Sequence, residues 1–346
     1  MVESKKRFTY KAILVGMIVV FTLSLQAGKV ALLEEVLSAS DIHVDDRYIY
    51  ITQKARIFIY STDDYRLLNQ FGKKGEGPRE FRLSDDNMVF LKVQPDYLMV
   101  NSVGRLSYFS KLGNYQRERI NNAGLWLAPI GEGFTGIKRV YDETNIRYRQ
   151  LWLFDDNLEK VKMVYEEFDG IQPRIRVIEA VTWPSGIFKV HQDRIFVADK
   201  ESSIYVYDKK GTKLYDINLP FRRQKITAAV KDRYLRFYRE EEPYWRERWE
   251  RLKDWFQFSD YLPVVQFFSV KDGRIYILSH MEKNGEQLFY LLDLNGKLLK
   301  EVYLPLTRGE ASIFHIHPYD IINGILYQIV ETDDDEGCEL HAFKVF

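Results

Sequence analysis

Short apolar runs recur along this chain, set apart by polar turns. They fall into a motif written five times and begun a sixth: an apolar strand, an aromatic-rich strand, a polar turn and a more polar third strand. The first copy reads IYIT at 49–52, IFIY at 57–60, a turn at 61–64 and YRLLNQF from Tyr65. The second has LMVN at 98–101, LSYF at 106–109, a turn at 111–114 and YQRERI from Tyr115. The third has FTGI at 134–137, QLWLF at 150–154, a turn at 155–157 and LEKVKMVY from Leu158. The fourth is the cleanest, with IFVAD, IYVY, the turn Asp208-Lys209-Lys210-Gly211 and TKLYDINL, and the fifth matches it with IYIL, LFYLL, Asp293-Leu294-Asn295-Gly296 and KLLKEVYL. The sixth has ILYQIV at 325–330 and ELHAFKV at 339–345, and the sequence stops at Phe346, where a third strand would begin.

Leading strands recur on average every about 55 residues, or about 48 with one helical stretch set aside, near the period of a four-stranded propeller blade. Candidate fourth strands lie just upstream: DIHV at 41–44, MVFLKV at 88–93, GIFKV at 186–190, VQFFSV at 265–270 and SIFHIH at 312–317. The pattern predicts an all-β chain forming a six-bladed β-propeller as one domain over residues 28–346. Its last blade lacks one strand at the carboxyl end, and KVALLEEVLSAS at 29–40 offers one. An open ring leaves a bare strand edge, so residues 30–36 are expected to close blade six. A short amphipathic helix is the competing reading.

One stretch breaks the β pattern. Residues 221–258 carry aromatics spaced three, four and seven apart among many Arg and Glu, a helical period. Pro243 divides the stretch, so two helices of roughly 15 residues are expected between blades four and five. They read either as aromatic packing on the propeller surface or as a lid or docking platform.

The amino terminus has Lys5, Lys6, Arg7 and Lys11 before the apolar run at 12–25, then Gln26-Ala27-Gly28. This reads as a signal peptide over 1–27, cleaved near Ala27, with a periplasmic, extracellular or cell-envelope destination. An uncleaved membrane anchor is the alternative.

The loop FGKKGEGPREF at 71–81 resembles the G-x-x-G-x-G-P-x-x-F connection of bacterial secreted propellers related to the NHL repeat. DRIFVADKESSIYVYDKKGTKL, in copy four, resembles the NHL strand pattern. Blade three departs from it, lacking the Ala-Asp step. The resemblance implies a six-bladed binding or scaffold module that recognises a peptide, protein or glycan at the channel mouth. Because NHL-type peptidyl-hydroxyglycine lyases hold metals in the channel, it also keeps open a metal-dependent lyase or hydrolase. In the loop itself, Gly72, Gly75 and Gly77 are expected to take positive φ, with Pro78 stiffening the exit. A phosphate cradle is disfavoured, because no Lys-Ser/Thr pair and no helix pattern follow.

Charge narrows the partners. Lys+Arg and Asp+Glu number 50 each, which removes any global reason for nucleic-acid binding. The single Cys338 excludes a disulfide framework and reads as a small buried strand residue. His43, His315 and His317 are the metal candidates: the last two share one face of an expected inner strand, and His43 lies in the equivalent strand of blade one. No third ligand is identifiable, so no metal or other cofactor is expected. No catalytic residue is assigned, for want of a nucleophile elbow, a His-Glu-x-x-His or a paired-carboxylate pattern. The acidic run at 332–336 reads as a solvated hairpin turn. A monomer is expected.

Overall fold

The computed structural model describes residues 28–77, 79–84, 88–124, 126–173, 176–181, 188–241, 243–308, 316–332 and 336–346. The expected signal segment, Pro78, His315 and most of the acidic run lie outside them. Strand β1 (Gly28–Leu33) opens the chain, followed by blade one: β2 (Asp41–Val44), β3 (Tyr48–Gln53), β4 (Arg56–Ser61) and β5 (Leu67–Phe71). Blade two is β6 (Phe90–Val93), β7 (Tyr97–Ser102), β8 (Arg105–Ser110) and β9 (Tyr115–Ile120). Blade three is β10 (Ala128–Ile130), β11 (Gly133–Tyr141), β12 (Arg147–Phe154) and β13 (Lys160–Phe168). After β14 (Ile171–Gln172) and β15 (Val177–Glu179) comes blade four: β16 (Phe188–His191), β17 (Arg194–Ala198), β18 (Ser203–Asp208) and β19 (Lys213–Asn218). The helical insertion holds α1 (Ala228–Arg236), α2 (Pro243–Arg246) and α3 (Trp249–Leu252), and ends in β20 (Phe256–Gln257). Blade five is β21 (Phe267–Lys271), β22 (Arg274–Lys283), β23 (Glu286–Asp293) and β24 (Leu298–Leu304); blade six has β25 (Tyr319–Ile322), β26 (Ile325–Glu331) and β27 (Cys338–Lys344).

Each blade is a four-stranded antiparallel sheet, and the sixth is completed in the order β1-β27-β26-β25. The chain is therefore a six-bladed β-propeller closed by strands from its two ends. Six apolar clusters mark six blade interfaces. Ile49, Phe58, Tyr327 and Leu340 join blades one and six; Ile57, Phe81, Leu91 and Phe109 join one and two; Met99, Tyr108 and Phe134 join two and three. Leu151, Ile195 and Tyr207 join three and four; Ile204, Ile217, Phe268 and Ile277 join four and five; Tyr276, Phe289, Leu326 and Phe343 join five and six. The middle strands are packed on both faces, which is why their runs are continuously apolar instead of alternating. The polar turns are made by aspartates. Asp208 accepts from the backbone N–H of Lys210 (2.9 Å) and Thr212 (2.8 Å), and Asp293 from Asn295 and Lys297 at 2.9 Å each, with Gly211 and Gly296 at positive φ.

Four expectations need correction. The closing strand is Gly28–Leu33, not 30–36. Glu34 and Glu35 turn the chain so that Val36 N–H reaches Leu33 O (3.1 Å) and the Val36 side chain drops into the interface of blades one and six. The inner strand of blade six is Tyr319–Ile322 rather than SIFHIH, so His317 precedes the strand. Of the loop's three glycines only Gly72 has positive φ (+85°), where a Cβ would come within 2.5 Å of Ala55 O; Arg79 is the loop's other described residue with positive φ (+64°). At Gly75 and Gly77 the constraint is the Glu80 carboxylate, which accepts from Gly77 N–H at 2.8 Å and pairs with Lys73 at 2.8 Å.

The helical insertion is more broken than its aromatic spacing suggests. Residues 224–226 run extended against 260–262, with Leu262 N–H to Gln224 O and Ile226 N–H to Asp260 O at 2.8 Å each, so α1 begins only after its N-cap Thr227. A π turn at Phe237–Glu241 then breaks the helical path before Pro243 opens α2. Tyr238, Trp245, Trp249 and Phe256 pack edge-on or tilted in one ring cluster, which accounts for their helical spacing without long helices. Strand β20 pairs with β15, whose other edge pairs with β14, in a three-stranded sheet that the repeat pattern did not announce. Tyr238 Oη ties the insertion to that sheet by donating to Ala180 O at 2.9 Å.

Candidate functional site: the charged channel

The innermost strands β2, β6, β10, β16, β21 and β25 surround the central channel. Their alternate positions divide between blade interface and channel: in β2, Ile42 and Val44 are buried while Asp41 and His43 are not. Asp41 keeps 40% of its side chain exposed and His43 22%, so solvent in the channel reaches both, and His43 Nε2 lies 3.1 Å from Asp41 Oδ2. Burial alone would raise the Asp41 carboxyl. His43 beside it, with Lys92 of β6 and Lys189 of β16, instead holds it below the ordinary carboxylate value.

Lys92 and Lys189 form no ion pair within 4 Å of a carboxylate among the described residues. Burial pushes the Lys92 ammonium down, opposed by Asp41. It pushes Lys189 down to about 8, helped by the repulsion of Lys92 and Lys271 and opposed by Asp41 and Asp320. Lys189 Nζ lies 4.6 Å from the Phe267 ring centre, a cation–π contact that partly replaces lost solvation. Lys271 is differently placed. It pairs with Asp320 and donates to Val44 O (3.3 Å), while Asp320 accepts from Val44 N–H (2.7 Å) and Ile321 N–H (2.9 Å). That clamp ties blades five, six and one together. Above it the Tyr319 ring packs on Phe267 and Phe289, and its hydroxyl is buried without a hydrogen-bond partner among the described residues.

Of the metal candidates, His43 faces the channel but is engaged by Asp41. His317 offers its backbone carbonyl to Gln328 Nε2 (3.3 Å). No group of three metal-donor side chains comes together among the described residues. Cys338 is buried in β27, and burial pushes its thiol up to about 11, so it is a structural residue and a poor nucleophile. Asp41, Lys92, Lys189 and Asp320 were not singled out from sequence. The available signal was one charged residue in each of DIHV, FLKV, GIFKV and β25's YDII, in strands otherwise apolar.

Two further charged features flank the insertion. An open groove of about 730 Å³ lies where blade four hands over to blade five, lined by Phe221, Arg222, Arg223, Lys225, Tyr261 and Met281. The long β11–β12 hairpin brings Arg139, Arg147 and Arg149 onto the wholly buried carboxylate of Asp169, Arg139 Nε at 3.5 Å. Opposite Arg149 in the ladder stands Glu167, whose carboxyl is pushed up to about 7 by burial, with Lys200 opposing and Asp199 reinforcing the shift. A carboxyl raised in the native state contributes stability below its unfolded value of about 4.3 and loses it as pH rises through 7. Glu167→Gln, which stays neutral, is therefore expected to match the parent's melting temperature near pH 4 and exceed it at pH 8. Thermal melts across that range check this.

No known family pattern and no curated protein matches the chain. Among solved structures it is similar to BamB from Moraxella catarrhalis, at 11% identity and TM-score 0.31 over 89% of this chain and 73% of that one. The computationally designed Ika8 protein gives 9%, 0.42, 90% and 98%, and Hsv2 of Kluyveromyces lactis 10%, 0.39, 89% and 74%. At these identities the likeness is one of fold alone, and a loose one.

Proposed function

We propose that the protein is an exported, NHL-like binding or scaffold module that recognises a peptide, protein or glycan at the mouth of its channel. The observation that carries this reading is the convergence on one channel of charged side chains from five blades: Asp41 and His43, Lys92, Lys189, Lys271, and Asp320. Such a set is costly to bury, and its structural returns among the described residues are the Lys271–Asp320 clamp, the His43–Asp41 contact and the Lys189–Phe267 cation–π contact, whereas a ligand entering the channel would find its polar partners already in place. Export rests on the basic start and short apolar run. Among the described residues no helix is long and apolar enough to cross a membrane.

The test is affinity capture from an envelope fraction with the parent protein and with a Lys92→Glu/Lys189→Glu variant of equal melting temperature. A partner held by the parent and released by the variant supports the reading; identical capture by both removes the channel from it. N-terminal sequencing of the cell-derived protein should begin near Gly28, and an intact Lys5 would replace export by an uncleaved anchor.

A further inference from the structure

The geometry points to a carboxylate as the group this channel binds: we propose that Lys92 and Lys189 together hold one carboxylate of the ligand, whether from an acidic peptide or an acidic sugar. The inference deepens the binding reading above and rests on it. Among the described channel groups, three ammoniums face two carboxylates, so these five leave the throat short of one negative charge. Lys271 is already matched by Asp320, and Asp41 has His43 Nε2 beside it at 3.1 Å. The deficit therefore falls on Lys92 and Lys189, which come from blades two and four; Asp41 acts on both, and Lys92 repels Lys189. A single negative charge between them restores the balance. A doubly charged phosphate would exceed it and be repelled by Asp41 and Asp320. Phe267 and Tyr319 give the same throat an apolar wall against which the ligand's carbon skeleton can pack.

The charged groups acting on Lys189 are Asp41 on β2, Lys92 on β6, Lys271 on β21 and Asp320 on β25; His43 shares β2 with Asp41, Tyr319 shares β25 with Asp320, β10 contributes Pro129 and no charge, and His191 shares β16. A bound carboxylate favours the charged form of Lys189 and so raises its proton affinity. By linkage, binding is strongest below about pH 8, where the ammonium is already protonated, and it weakens toward tenfold per pH unit above that.

The experiment titrates the mature protein with acetate, with a blocked peptide carrying one Glu, with glucuronate and with inorganic phosphate. Binding is followed by calorimetry, and the Lys189 titration by NMR of ¹³C-methylated lysines. The expected result is saturable binding of acetate and of at least one larger carboxylate, an upward move of the Lys189 titration on binding, and weakening of roughly tenfold or more in Lys92→Met and Lys189→Met. Both variants remove a partly buried ammonium and should melt no lower than the parent at pH 7, so lost binding would not reflect unfolding. The peptide and glucuronate arms decide which source supplies the carboxylate. Phosphate binding more tightly than acetate, or carboxylate binding undiminished in both variants, overturns the proposal. Absent carboxylate binding also overturns it, and if envelope capture then still depends on the channel, the binding reading survives without it.

Discussion

Replacing Asp169 with alanine is expected to destabilise the protein by about 3–5 kcal/mol, the usual cost of removing one partner from a buried ion pair. The carboxylate is wholly buried and forms ion pairs with Arg147 and Arg149 of β12, with Arg139 of β11 at 3.5 Å. Its backbone N–H is anchored to Arg147 O at 2.8 Å. The cost comes mainly from what is left behind. Arg149, only 15% exposed, would lose its counter-ion, and burial already pushes its guanidinium down to about 9 with Asp169 present. Adding Arg149→Met to Asp169→Ala should therefore restore a large part of the loss, whereas adding Arg139→Met, at 46% exposure, should restore little. Urea melts of the single and double variants measure this as a coupling energy. Equal recovery from both second substitutions would mean that the loss lies in the turn from β13 to β14 and not in the stranded charge.

The six-fold repeat was legible because the two middle strands of each blade are packed on both faces. Runs such as IYIT and IFIY have no polar alternation to confuse with a surface strand, and the Asp-x-x-Gly turns carry their own backbone chemistry. The inner strands were harder, being three to five residues long with only alternate positions committed to an interface. Ala128-Pro129-Ile130 in blade three is only three residues long and carries a proline at its centre, and SIFHIH drew attention away from the less apolar Tyr319–Ile322. The helical insertion misled for a different reason. Its aromatics satisfy a helical period, but they pack on one another across a π turn and two short helices. The channel charges were least legible: a lysine facing a narrow lumen and a lysine facing bulk water look alike in a sequence, and only the closing of the ring brings Lys92 and Lys189 toward Asp41.

Removing residues 28–40 from the mature chain is expected to abolish cooperative folding or to leave an aggregating protein. Strand β1 pairs with β27 from Gly28↔Ala342 to Leu33↔Cys338, a ladder whose hydrogen bonds contribute about 0.5–1.5 kcal/mol each. Beyond the strand, Leu33 and Val36 are almost wholly buried against Ile49, Phe58 and Leu340, and burying each such side chain contributes about 1.5–3 kcal/mol. Together these reach several kcal/mol against a total stability on the order of 5–15 kcal/mol. The truncated chain would also bare the β27 edge, a template for pairing with another molecule. The backbone and side-chain parts can be separated. Leu33→Asp with Val36→Asp keeps the ladder but places two charges in the apolar interface, and should lower the melting temperature strongly without freeing the edge. Deletion should add oligomers visible by sedimentation velocity. If the truncated protein remains monomeric and melts within a few degrees of the mature chain, the amino-terminal strand decorates blade six without closing the ring. If both changes are severe but only the deletion aggregates, the strand performs two tasks: filling the interface of blades one and six, and covering the last open edge.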